Sequence, residues 1–116
     1  MKPKKTRVIK QCDTRWSEII RSKGHCEASD VSECAGILNA CHIIRRGSGS
    51  TRHDLENGLS LCVGHHYWFD KGDKFKVTEW FNNKWPGRYD RLKARDKIVH
   101  YKLHDWLEIL EELSRK

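Results

Sequence analysis

Three residues set the chemistry this chain can perform: His42 at the end of an apolar run, Asn57 after a polar loop, and His66 at the start of a helix-forming stretch. Histidine exchanges a proton near neutral pH and also ligates metals, so one imidazole can take a proton from water while another holds a cation. Asp70 follows His66 by four residues, which puts both on one helix face at a spacing suited to a shared ion. The other reading of Asp70 is a solvated carboxylate at a helix end. Cys41 adjoins His42, but strand alternation points it to the opposite face, and its thiolate suits Zn²⁺ better than Mg²⁺. Cys41 is therefore either a third ligand or a buried thiol. Cys62-x-x-His65 has the spacing of a metal knuckle, and adjacent helix residues project about 100° apart. His65 and His66 can thus serve different ions.

The elements that must position these residues follow from pattern. Asp13 is a candidate N-cap for a helix carrying Trp16, Ile19 and Ile20 at i, i+3 and i+4, ended by Gly24. Small polar residues between Cys26 and Cys34 read as a loop, and residues 37–44 as a strand. Gly47-Ser48-Gly49-Ser50 turns the chain into a polar loop that reaches Asn57, and Leu59 and Leu61 lie on a short second strand. A helix starts near Val63 and stops around Lys71-Gly72. Phe75-Lys76-Val77-Thr78 alternates as a short strand would, and Pro86-Gly87 marks a turn. Leu103, Trp106, Leu107, Leu110 and Leu113 repeat at helical period, as a packing face or a dimer interface. The fold class expected is α+β: two strands and a helix at the core, with flanking helices, short strands and a C-terminal amphipathic helix.

At 116 residues the chain is one domain by default, and one this small often needs a metal to hold together. The net charge is +7; residues 103–116 hold four acids against two bases, a net of −2, so the rest carries +9. That excess favours a polyanionic partner. Residues 1–12, with Lys2, Lys4, Lys5, Arg7 and Lys10, are expected as a mobile basic arm ahead of a single domain over 13–116. No apolar run approaches the ~18 residues of a membrane span and no signal segment is evident. With five cysteines, an odd number, this argues for metal binding in a reducing cytoplasm rather than for disulfides.

The order His42, Asn57, His66 within strand, loop, strand and helix resembles the HNH endonucleases, the ββα-metal nucleases, and most closely their small phage and prophage type. The Leu61-Cys62-x-x-His65-His66 segment sharpens the likeness. So do Trp16-Ser17, Ile20-Arg21, Thr51-Arg52, Tyr89-Asp90-x-Leu92 and Arg95; together they cover roughly residues 13–95. The resemblance implies a metal-dependent DNA endonuclease in which His42 activates water as general base. Asn57 would pin the loop that holds His42, and His66 would bind one divalent cation, with Asp70 and Cys41 as further candidate ligands. The cation would be Mg²⁺ or Mn²⁺, with Zn²⁺ or Ni²⁺ as alternatives. A single such site would nick one strand at a time.

Relatives of this type often carry a structural Zn²⁺ held by two Cys-x-x-Cys knuckles. Here Ser29 stands where the first knuckle's second cysteine belongs, so Cys26, Cys34, Cys62 and His65 are the candidate tetrahedral set. The rival reading is that the zinc is lost and these cysteines are small buried hydrophobes. Cys12 has no evident partner. Arg45, Arg46, Arg52 and His53 flank the catalytic strand and loop and are the candidate DNA-phosphate contacts. Trp68, Trp80 and Trp85 either stack on bases or fill the core. The resemblance also points to phage DNA packaging beside the terminase, as a monomer or weak dimer. The competing function is a non-catalytic, zinc-stabilised DNA-binding module. An RNA substrate lacks any recognition signature in the sequence.

Overall fold

The structure, a computed structural model, describes residues 4–45, 47 and 49–116. Its first element is a long helix, α1 (Lys4–Arg21), in which Val8, Cys12, Trp16 and Ile20 recur every fourth residue and are buried. This stripe extends the helix well before Asp13. The mobile arm expected over residues 1–12 is thus corrected for Lys4 onward: Lys4, Lys5, Arg7 and Lys10 lie on exposed faces of α1, and the helix runs through the expected boundary. Asp13 is accordingly mid-helix, not an N-cap.

After a loop, β1 (Leu38–His42) pairs antiparallel with β2 (Gly58–Cys62), aligning Cys41 with Leu59 and His42 with Gly58. A 3₁₀ turn at Leu55–Asn57 leads into β2, and α2 (Val63–Lys71) follows it directly, with Cys62 Sγ accepting the His65 N–H at its start. Strand, loop, strand and helix therefore fall where the sequence places them. Strand alternation gives the two-stranded sheet two jobs. Ala40, His42 and Gly58 face α1, while Asn39 and Cys41 face α2. Gly58 is required by that closeness, since a Cβ there would come within 2.3 Å of Ile20 and 2.8 Å of Trp16.

The stretch expected as a strand at Phe75–Thr78 is part of a helix, α3 (Lys74–Lys84). The Asp73 carboxylate accepts the N–H groups of Phe75 and Lys76 (2.9 and 3.2 Å) as N-cap. Val77 and Phe81, four apart, are buried while Phe75 is 90% exposed, so helical period overrides the local alternation. Helix α4 (Arg88–Arg95) then clamps the 3₁₀ turn. Buried Arg88 donates to the carbonyls of Glu56 and Gly58, and Glu56 pairs with Arg91 and Arg95 (2.8 Å each). Those two guanidiniums hold the Glu56 carboxyl down at about 2.

The C-terminal helix α5 (Leu103–Ser114) packs against α1, burying Trp106 and Leu113 among Val8, Cys12, Trp16 and Ile20. Its apolar stripe is therefore an intramolecular packing face. Leu107 lies off the stripe and is exposed, contrary to the expected pattern. A second core, with Cys26, Ala28, Cys41, Leu59, Leu61, Cys62 and Phe81, lies on the other side, with Trp68, Trp80 and Trp85 packed on it. No helix among the described residues is long and apolar enough to cross a membrane.

Candidate functional site

Four of the expected zinc ligands converge between the loop after α1 and the start of α2. His65 Nδ1 stands 3.4 Å from Cys26 Sγ, 3.7 Å from Cys34 Sγ and 3.1 Å from Cys62 Sγ. A tetrahedron with Zn–S of about 2.3 Å and Zn–N of about 2.0 Å has S···N edges of roughly 3.5 Å, so the donor set fits zinc in number, type and spacing. Ser29 is replaced in effect by Cys34. The chain turns through residues 27–31 and returns so that Ala35 N–H donates to Cys62 Sγ (3.4 Å). Cys62 N–H donates in turn to Cys26 Sγ (3.3 Å). Burial pushes the Cys62 thiol up, but the amides of Ala35 and His65, joined by Cys26 and Cys34, outweigh it and bring it down to about 6. Cys34 is pushed up to about 11, by desolvation and then by its bonds to the Cys26 and Cys62 sulfurs. Ser32 Oγ, 2.9 Å from His65 Nε2, fixes the ring from behind. Nothing in the sequence pattern singled out Ser32.

A second group gathers where β1 meets α2. Ligand atoms of Cys41, His66 and Asp70 lie within 4.8 Å of one another, and His66 Nε2 is 3.3 Å from Asp70 Oδ2. Sulfur, imidazole and carboxylate make a mixed donor set able to take a divalent ion. Burial, followed by the Asp70 carboxylate, pushes the Cys41 thiol well up. The Asn39 amide lies 3.3 Å from His66 Nδ1 and sets the ring so that Nε2 meets Asp70. Sequence reasoning missed Asn39; the signal was present, since residues 39 and 41 share one face of a strand.

His42 is on the other face of β1, yet it reaches the same cleft. That cleft, about 430 Å³, is lined by His42, Cys41, Arg45, His66, Asp70 and Lys71 among others. The His42 ring stacks on Trp16 (3.9 Å between centroids, 11° between planes). Its Nε2 is 2.9 Å from the Arg52 carbonyl oxygen. A carbonyl only accepts, so Nε2 carries the proton and the ring's lone pair is at Nδ1. The tautomer is thus set by backbone.

Two residues hold that carbonyl. Asn57 is fully buried: its Oδ1 accepts from Ile44 N–H (2.7 Å), and its Nδ2 donates to Ile44 O and Thr51 O (3.0 and 3.1 Å). It thereby ties together both ends of the loop between the strands. Asp13, from α1, receives Arg52 through two bonds (3.0 and 2.7 Å) and His53 Nε2 at 2.6 Å. Burial pushes the Asp13 carboxyl up, but the bonds from His53 and Arg52 win and bring it to about 2. The structure therefore turns Arg52 and His53, expected as phosphate contacts, inward onto Asp13, with His53 buried. Arg45 remains exposed beside the cleft, and Arg46 lies outside the described residues. Cys12 is buried under α5, its thiol pushed up to about 11 by burial and by Asp13.

With this geometry in place, comparison with known families is informative. Residues 26–74, from the first zinc-ligand candidate to just past the helix bearing His66 and Asp70, match the family model described as HNH endonuclease. Neither the curated proteins nor the solved structures compared with the chain return a match.

Proposed function

We propose that this HNH-type segment makes the protein a metal-dependent DNA endonuclease that nicks one strand at a time, with His42 as general base. The observation that carries this reading is the shared cleft: a histidine with its proton committed to the Arg52 carbonyl borders the same 430 Å³ space as Cys41, His66 and Asp70. In the reaction, His42 Nδ1 accepts a proton from water as the water oxygen bonds to phosphorus, the P–O3′ bond breaks, and the departing O3′ takes a proton from solvent. The Arg52 carbonyl then stabilises the imidazolium through Nε2–H, and Trp16 keeps the ring plane fixed. Asn57 and Asp13 keep the carbonyl in place. Arg45 and Lys71, on the cleft wall, meet the phosphate charge. His66, Asp70 and Cys41 would hold a divalent cation, which would supply positive charge to the phosphate and to the leaving oxygen.

Asp70 alone would favour Mg²⁺ or Mn²⁺, but a sulfur at the third corner shifts the preference toward softer ions such as Zn²⁺ or Ni²⁺. The test is relaxation of supercoiled plasmid by the zinc-loaded protein across a series of divalent ions. Open circles are expected with at least one ion, and His66→Ala should lower the rate by ~10³-fold with the Cys26, Cys34, Cys62 and His65 site still filled. Cys41→Ser should move the preference toward Mn²⁺ and Mg²⁺. If wild type leaves the plasmid supercoiled with every ion while still binding it, the non-catalytic DNA-binding module is the correct reading.

A further inference from the structure

We propose that one strand of the DNA substrate lies, through its phosphodiester backbone, in the groove between α1 and β1, gripped by Lys10 and Arg21 as it passes His42. This rests on the nuclease reading and extends it to the path of the substrate. The groove, about 670 Å³, is lined along α1 by Lys10, Thr14, Ser17 and Arg21 and is bordered by His42, which stacks on Trp16 between Lys10 and Arg21 along the helix. Those four residues follow one another at intervals of four, three and four, so they share one face of the helix. At 1.5 Å per residue Lys10 and Arg21 are ~16 Å apart along the axis, room for several phosphates at ~3.4 Å of duplex axis each.

The charges on this face are available to an anion. Arg52 is spent on Asp13, Arg91 and Arg95 on Glu56, Arg15 on Glu18 and Lys84 on Asp30. Among the described residues neither Lys10 nor Arg21 has an acidic partner. Asp13 is, among the described residues, the carboxylate bordering the groove, and it is already paired with Arg52 and hydrogen-bonded to His53, so it does not repel an incoming anion. Arg21 is laid along the groove by its Nε–H bond to Ser17 Oγ (3.2 Å), and the Thr14 and Ser17 side chains add hydroxyl donors of the kind that meet phosphate oxygens. His42 borders both this groove and the 430 Å³ cleft. A strand held at Lys10 and Arg21 therefore passes His42, where a phosphate would be cut beside the cleft bordered by Arg45 and Lys71.

The experiment measures anisotropy of a fluorescent DNA duplex bound by the full-length, zinc-loaded protein at salt from ~50 to ~200 mM, without added divalent ion. Three proteins are compared: wild type, Lys10→Gln/Arg21→Gln, and Lys74→Gln/Lys76→Gln, which removes the same charge from exposed positions on α3. The groove variant is expected to bind ~10-fold or more weakly and to flatten the slope of log affinity against log salt by about 2, one per lost phosphate contact. The α3 variant should keep the wild-type slope. Equal effects from the two variants would overturn the groove while leaving the nuclease reading standing. Failure of wild type to bind the duplex at any salt would overturn both.

Discussion

Removing zinc is expected to melt this protein at a temperature at least ~15 °C lower. The four candidate ligands Cys26, Cys34, Cys62 and His65 come from a loop, the end of β2 and the first turn of α2, and three of them are buried. Without a cation, three thiols and an imidazole face one another within 4.8 Å, and the 26–36 loop is left to the Glu27–Ser60 hydrogen bonds and the packing of Ala28. Structural zinc contributes apparent free energies of about 10–16 kcal/mol in small domains. Even ~4 kcal/mol of that, at about 4 °C per kcal/mol, gives the stated shift. Thermal melts before and after chelation, with elemental analysis, check it. Cys62→Ser should lose one equivalent of zinc and reproduce the shift, whereas Cys41→Ser should retain that equivalent. Protein isolated without chelator that holds less than half an equivalent of zinc, and melts unchanged in chelator, would show the cluster to be a packed group of thiols.

The second large effect is expected at Asn57. Asn57→Ala removes three side-chain hydrogen bonds at a fully buried position and strands the N–H and the carbonyl of Ile44, while the Thr51 carbonyl keeps only the Asp54 N–H. Each stranded buried group costs about 1–3 kcal/mol, so a loss of ~3 kcal/mol is reasonable given partial access of water. The functional loss should be larger than unfolding explains. The Thr51 carbonyl precedes Arg52, whose own carbonyl fixes the His42 tautomer, and a displacement of about 1 Å at a reacting group costs ~10²-fold in rate. Nicking assayed well below the melting temperature should therefore fall ~10²-fold with plasmid binding retained. A folded Asn57→Ala protein within threefold of wild type would remove Asn57 from the positioning chain.

The site was more legible in the sequence than its surroundings. His42, Asn57 and His66 could be assigned to strand, loop end and helix start because each element is short and its register is set within a few residues. Pairing Cys34 with Cys26 required only that a loop of small residues return on itself. What escaped were contacts made across long separations in the chain. Asp13 looked like a helix start, because local pattern cannot show that Val8 and Cys12 pack under a helix more than ninety residues away. The partners of Asp13, Arg52 and His53, accordingly looked like solvent-facing phosphate contacts. Phe75-Lys76-Val77-Thr78 alternates like a strand, yet the Asp73 cap and the Val77–Phe81 spacing decide for a helix. Asn39 was within reach of pattern reasoning, since it shares a strand face with Cys41.

The most direct test of the account is the rate at which His42→Ala nicks supercoiled plasmid, under the ion that best supports wild type. Zinc content, melting profile and plasmid affinity should first be matched to wild type. General-base catalysis contributes about 10²–10⁴-fold, so the account predicts a loss of ~10³-fold with binding intact. Nicking by a folded, zinc-loaded His42→Ala protein at the wild-type rate would contradict it.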